Sequence, residues 1–207
     1  MLRLEGIDKF YGKNKVINNF NYTFEPNIKY ALRGKSGAGK STILNIIAQF
    51  EKPSEGFITY NKTDISKIKK NIYYRDILGY LFQNYALIDN DTVFDNMKIA
   101  CTKRHSKSEL LILMTEALQK VNLSKKYLNK SIYELSGGEQ QRVSIARMLL
   151  KNTHIILVDE PTAALDRSNS LDILNSGLSG LLSSENIMIV ASHDPLVFEW
   201  ADKVIDL

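Results

Sequence analysis

Residues 29–50 read KYALRGKSGAGKSTILNIIAQF, and the fold follows from how that stretch is parsed. The run KYALR has strand character and leads straight into a glycine-rich loop, GKSGAGKS at 34–41. Behind the loop, Ile43, Leu44, Ile46, Ile47 and Phe50 recur at helical spacing. The order is strand, loop, helix. The loop satisfies G-x-x-x-x-G-K-[ST] in full, and each position has a physical reason. Glycines let backbone N–H groups converge on a phosphate where a Cβ would collide. The helix adds the positive end of its dipole. Lys40 brings a point charge to the β- and γ-phosphates, and the Ser41 hydroxyl can ligate Mg²⁺. A glycine-rich turn can match this pattern by chance, but the strand before it and the helix after it argue against that.

Around this centre the chain reads as alternating elements. NFNYTF at 19–24 places Phe20, Tyr22 and Phe24 on one face of a half-buried strand. KPSEG at 52–56 is a turn, and FITY after it is another strand. Ser106 and Glu109 have the spacing of a capping box ahead of LLILMTEALQKV. In that helix Leu110, Leu111, Leu113, Met114, Ala117, Leu118 and Val121 make a broad apolar face. Buried strands follow at 155–158 and 187–191, with a helix around 171–182 between them. Continuous β-branched runs separated by helices imply a parallel sheet covered on both faces, an α/β fold.

IILVDEP at 155–161 ends a buried strand in Asp159 and Glu160. An isolated acid pair is commonly two surface carboxylates. Here four apolar residues precede it, and open α/β sheets place ligands at strand C-termini. Asp159 is suited to hold the Mg²⁺ that neutralises phosphate charge, and Glu160 to polarise an attacking water.

Bulk properties narrow the class. A chain of 207 residues, 44% hydrophobic and 24% charged, can bury a full core. No stretch approaches the roughly eighteen apolar residues of a membrane helix. The start, MLRLEGIDKF, lacks the apolar centre of a secretory signal. One cysteine, Cys101, permits no internal disulfide and reads as a buried spectator, so a reducing, cytoplasmic location is expected. The net charge of +4 gathers partly at Lys67, Lys69 and Lys70 and at Lys103, Arg104 and Lys107. Without interleaved aromatics these read as solvated faces near an anionic membrane surface, and no nucleic-acid partner is expected.

A second glycine device lies in LSGGEQQRVSIARMLLKNTHIILVDEPTAALD at 135–166. Ser136, Gly137 and Gly138 lead into a helix; alone, they would read as no more than its start. With the acid pair close behind, the stretch resembles the signature region of the ATP-binding-cassette (ABC) transporter ATPases, and the resemblance covers nearly the whole chain. It implies a P-loop core with a parallel sheet, an N-terminal antiparallel β part and an inserted helical part. The chain is then one nucleotide-binding domain over 1–207, with a core of about 1–89 and 155–207 and a helical part of about 90–150.

The resemblance also implies roles. Gly34, Ser36, Gly37, Ala38, Gly39, Lys40, Ser41 and Thr42 match the nucleotide loop, with Tyr11 stacking on adenine. Gln83 matches the loop glutamine that touches Mg²⁺, which Ser41 and Asp159 also serve. Glu160 matches the catalytic carboxylate and His193 the switch histidine, whereas His105 and His154 read as structural. Asp166, in the ALD at 164–166, matches the loop that communicates between subunits. Ser136, Gly137, Gly138 and Glu139 match the signature that covers, in trans, the ATP held by a partner subunit. Two cradles on one chain would thus serve two ATP molecules, in a homodimer or heterodimer.

ATP and Mg²⁺ are the implied cofactors, and a separately encoded membrane permease the implied partner, at the inner face of a bacterial membrane. LFQNYALI and the signature resemble the macrolide-exporter, lipoprotein-release and bacteriocin-export group. The alternative is a non-transport cassette ATPase acting on ribosomes or DNA; cassettes acting on DNA carry long insertions and those acting on ribosomes two cassettes, and this sequence shows neither, which favours the transporter reading. The chain ends at ADKVIDL, where relatives continue into a further hairpin.

Overall fold

The computed structural model describes residues 1–101, 104–151, 153–163 and 165–207; Lys103 and Ala164 of the sequence reading lie outside the described residues. In chain order the strands are β1 (Leu2–Tyr11), β2 (Asn14–Phe24), β3 (Lys29–Arg33), β4 (Glu55–Tyr60) and β5 (Thr63–Asp64). Then follow β6 (Leu78–Leu81), β7 (Ile155–Asp159), β8 (Ile187–Ser192) and β9 (Lys203–Asp206). The chain packs into two compact units.

The first unit comprises Met1–Tyr80, Thr153–Glu160 and Leu182–Leu207. It holds an antiparallel sheet in the order β2-β1-β4-β5 and a second sheet in the order β6-β7-β8-β3-β9. β3 pairs in parallel with β8 and β9, and β7 pairs in parallel with β8. Every residue of β8 is buried, as its unbroken apolar run requires. The expected Phe20–Tyr22–Phe24 face is present: the Tyr22 ring lies 4.7 Å from that of Phe24 and 5.8 Å from that of Tyr30.

Helix α1 (Lys40–Ile47) packs on β7 and β8 through Ile43, Leu44, Ile46 and Ile47. It ends earlier than the apolar spacing suggests, because Gln49 turns left-handed at φ 58°. Phe50 is therefore outside the helix and 48% exposed. The register fixes what matters for chemistry. Arg33 pairs with Ser192 and Asp159 with Ala191, so the Gly34 loop, the acid pair and His193 leave the sheet at one edge.

The second unit comprises Leu81–Asn152 and Pro161–Leu181. Its helices are α2 (Val93–Lys98), α3 (Lys107–Lys120), α4 (Gly137–Leu149) and α5 (Arg167–Asp172). The expected capping box is formed: the Ser106 N–H donates to Glu109 Oε2 at 2.7 Å, and the Glu109 N–H donates back to Ser106 Oγ at 3.3 Å. The apolar face of α3 is narrower than expected, with Leu110, Met114, Ala117 and Leu118 buried but Leu113 36% exposed. The helix expected around 171–182 starts at Arg167 and widens into a π-type turn over Ile173–Leu178.

These units divide the chain elsewhere than the expected core and helical parts, because 81–89 and 161–181 pack with the helices. Two arginines of α4 show why. Arg147 donates to the carbonyls of Tyr85 and Ala86, and Arg142 pairs with Asp172.

Candidate active site

In the first unit the phosphate loop is built as its sequence demands. Gly39 caps α1 at φ 95°, and a Cβ there would stand 2.3 Å from Ile17 Cδ1. The backbone angle strains any side chain at that position, and the tip of Ile17 would also have to move to admit one. Lys40 is buried, its ammonium donating to the carbonyls of Gly34 at 2.8 Å and Lys35 at 3.3 Å. Two of its three hydrogens thus serve the loop itself. Ser36 and Gly37 are exposed at the loop's crest, with Ala38 partly covered. Lys35 is exposed beside them and adds charge at the same mouth.

Ser41, at the second position of α1, donates to Asp159 Oδ1 at 3.1 Å. Burial, with the charge of Glu160 adding to it, holds the Asp159 carboxyl above its ordinary pKa. Ser41, Lys40 and Tyr80 pull the other way. A carboxylate kept from water beside a second one is a place where a cation lowers the energy. Among the described residues no three His, Cys, Asp or Glu side chains stand close enough to hold a metal unaided. The Ser41 hydroxyl and the Asp159 carboxylate, 3.1 Å apart, are the kind of paired oxygen donors that fit Mg²⁺, an ion that keeps several waters and takes phosphate oxygens.

Glu160 follows directly. Its backbone is left-handed at φ 47°, a conformation that costs a non-glycine residue about 1–3 kcal/mol and gathers at active sites. Its N–H donates to the Ala191 carbonyl at 2.9 Å, which pins the turn. The carboxylate then accepts from Ser192 Oγ at 3.3 Å and lies 2.9 Å from His193 Nδ1. His193 is 67% exposed at its side chain and Glu160 15%, so the dyad has a covered base and an open imidazole. A carboxylate so held can orient a water, and the histidine can present its other nitrogen outward.

Tyr11 ends β1 with its ring half exposed, and its hydroxyl donates to Glu51 at 2.5 Å. Thr42 also bears on the phenol, which places the ring beside α1. Lys9 lies 5.1 Å from the ring centroid, so one face is already used.

The remaining expected residues belong to the second unit. Ser136 caps α4 in a closed box: its N–H and hydroxyl donate to Glu139 Oε2 at 2.8 and 3.0 Å. Glu139 Oε1 accepts from Tyr127 at 2.6 Å, and that bond is the first cause of the carboxyl's lowered pKa. Gly137 and Gly138 have no such constraint as Gly39. Their nearest neighbours to an added Cβ are Tyr85 Oη at 3.8 Å and Leu165 Cδ2 at 3.7 Å, both ordinary contacts. The chain's own fold does not need glycine there. Asp166 caps α5, accepting from the Asn169 N–H at 2.9 Å. Gln83 is exposed in the turn after β6.

The ABC transporter family pattern matches residues 17–163, spanning the phosphate loop, the signature and the acid pair. The chain belongs to the ABC transporter family. It is an ABC-type ATPase, and its class binds ATP and hydrolyses it. The arginine transport ATP-binding protein ArtM of Bacillus subtilis is 36% identical over 99% of this chain and 86% of its own length. The macrolide export ATP-binding/permease protein MacB of Campylobacter jejuni is 32% identical over 100% of this chain but only 33% of its own length. Among solved structures, the ATP-binding cassette MJ0796, as a post-hydrolysis dimer bound to ADP and Pi, superposes with a TM-score of 0.87. That pair is 31% identical, covering 100% of this chain and 94% of the other.

Sequence reasoning missed several partners within this ABC ATPase. Ser192 stood in plain view beside His193, but only the sheet register shows it aimed at Glu160. Tyr80 adds a hydroxyl to Asp159, its own pKa pushed up by burial and by that carboxylate. The half-buried Cys101 thiol is also pushed up by burial, which suits a spectator. His154 has its ring 6.2 Å from that of Tyr60, and its backbone bonds Ile77 and Ile187.

Proposed function

We propose that two copies of this chain close on ATP, each nucleotide lying between the phosphate loop of one copy and the signature of the other. In this reading Lys40 and the amides of 34–42 hold the phosphates, Tyr11 stacks on adenine, and Ser41, Asp159 and Gln83 hold Mg²⁺. The ion neutralises phosphate charge when bound. Glu160 orients the attacking water, and His193, tethered to it, contacts the γ-phosphate. Ser136, Gly137, Gly138 and Glu139 close over the same phosphate from the partner, and Asp166 passes the state of one site to the other. The domain assignment, 1–207 as one nucleotide-binding domain, is part of this reading.

The observation that carries it is the contrast between the glycines. Gly39 is favoured by the chain's own left-handed backbone, whereas at Gly137 and Gly138 a Cβ would meet only ordinary contacts. A ligand phosphate that needs bare backbone N–H groups explains them, and the dimeric MJ0796 cassette with ADP and Pi supports the arrangement. No helix among the described residues is long and apolar enough to cross a membrane. We assign the membrane part to a separately encoded permease, with this ATPase at its inner face; the similarity to the ATP-binding protein ArtM, of which the match covers 86%, supports this. Export or extrusion of a peptide, bacteriocin or antimicrobial is favoured by the LFQNYALI wording and by the similarity to a macrolide exporter.

The test is a tagged Glu160→Gln chain trapped with ATP in its native cells. Co-purification of one membrane protein from the membrane fraction is expected. Recovery with ribosomes and no membrane protein would contradict the permease assignment.

A further inference from the structure

The turn after β6 carries a feature that the reaction scheme above does not use. Tyr85 and Ala86 are consecutive non-glycine residues in left-handed backbone, at φ 62° and 47°. Such a pair is disfavoured unless the surroundings over-determine it. Short bonds close the turn itself: the Tyr85 N–H donates to the Phe82 carbonyl at 2.9 Å and the Ala86 N–H to the Asn84 carbonyl at 2.7 Å. What holds its carbonyls comes from elsewhere. Arg147, in the last turn of α4, donates from Nη1 to the Ala86 carbonyl at 2.7 Å and from Nη2 to the Tyr85 carbonyl at 2.9 Å.

Arg147 makes no ion pair among the described residues, so these carbonyls are where its fork is spent. Burial lowers its pKa, as expected for a guanidinium drawn away from water. The planar fork matches two neighbouring carbonyls in a way an ammonium cannot. Tyr85 also extends toward the other end of the helix, its hydroxyl 3.8 Å from where a Gly137 Cβ would stand. One residue of the turn therefore bears on both the start and the end of α4.

We propose that Arg147 is a positioning residue for hydrolysis: it clamps residues 82–86 in their left-handed turn and makes the Gln83 turn and the signature helix move as one body. This rests on the reading of Gln83 as a residue of the reaction. Arg147 touches neither nucleotide nor water; it acts through the backbone that presents Gln83.

The experiment compares Gln83→Ala, Arg147→Lys, Arg147→Lys with Ala86→Gly, and Ala86→Pro, each in the full chain, by ATPase kinetics and thermal melting. Arg147→Lys keeps the charge but loses the bridge, so kcat should fall toward that of Gln83→Ala, about 10²-fold for a misplaced group, with KM for ATP little changed. Glycine adopts positive φ unaided, so Ala86→Gly in that background, relieving one of the two left-handed residues, should restore part of the lost kcat. That rescue is one a merely structural arginine would not show.

Ala86 is exposed, so Ala86→Pro breaks the turn without touching the core and should copy Gln83→Ala even if Arg147→Lys fails to fold. Full activity in Gln83→Ala would overturn the glutamine's role itself. An impaired Gln83→Ala beside a fully active Arg147→Lys or Ala86→Pro, or a failed glycine rescue in folded protein, would overturn the clamp alone.

Discussion

Replacing one glycine by alanine in each cradle should give opposite results, and the structure sets both signs. Gly138 is the second residue of α4, its φ lies outside the left-handed region, and its added Cβ would stand 3.7 Å from Leu165 Cδ2. The methyl fits. Alanine restricts the unfolded chain and favours the helix, worth about 0.5 kcal/mol near a helix start against about 1 in its interior. For a chain of this length that is a rise in Tm of about 1–2 °C.

Gly39→Ala meets φ 95° and Ile17 Cδ1 at 2.3 Å. A left-handed alanine costs about 1–2 kcal/mol and displacing the Ile17 tip adds up to about 3 more, a fall in Tm of roughly 2–20 °C. Yet Gly138→Ala, the more stable protein, should lose hydrolysis by about 10²-fold, the scale of losing one donor aimed at a developing charge. Differential scanning calorimetry and a coupled phosphate assay read the two effects separately. The reasoning is refuted if Gly138→Ala melts several degrees low, for then the fold needs that glycine. It is equally refuted if the variant hydrolyses ATP normally, for then no phosphate approaches there.

Two further outcomes follow from the acid pair. Glu160→Gln keeps the shape of the dyad with His193 but removes the basic carboxylate, so hydrolysis should fall by about 10²-fold or more while ATP holds a dimer on size exclusion; normal turnover would remove Glu160 from the chemistry. Asp159→Asn tests the buried charge. The folded chain binds the Asp159 proton more tightly than the unfolded chain does, so ionisation weakens the fold above the raised pKa. That penalty fades as pH falls toward the ordinary carboxylate value of about 3.9. Asp159→Asn should therefore melt higher than the parent at pH 7 and lose the advantage near pH 4, while Mg²⁺-dependent hydrolysis disappears. A lower melting point at pH 7 would show that the carboxylate stabilises this fold.

The sheet was legible where chemistry and pattern coincide. The KYALR strand and glycine loop have to occur in that order to hold a phosphate, and the runs at 155–158 and 187–191 have no polar face to show water. The capping box at Ser106 and Glu109 was legible for the same reason, since its spacing is its mechanism. Phe50 misled because apolar spacing ignores backbone turns, and Gln49 breaks the helix before the pattern does. Leu113 misled because an apolar residue on a helix is free to face solvent. The contact between Glu160 and His193 is distant in sequence and depends on Asp159 pairing with Ala191, a register that no local pattern displays. Arg147 left no signal at all, because a side chain that binds backbone carbonyls has no partner residue type to look for.

The central claim, that each cradle on a chain serves a different ATP, is tested most directly by mixing two dead proteins. Lys40→Ala ruins the phosphate loop of one, and Gly137→Asp sets a carboxylate against the γ-phosphate in the signature of the other. Each homodimer then contains a damaged part in every site, so each alone should be inactive. In a mixed dimer the intact loop of the Gly137→Asp chain faces the intact signature of the Lys40→Ala chain, and one whole site returns. Cross-linked mixed dimers should hold ATP at that site and hydrolyse it faster than the two components summed. Confirmed mixed dimers that hold no ATP there would contradict the claim.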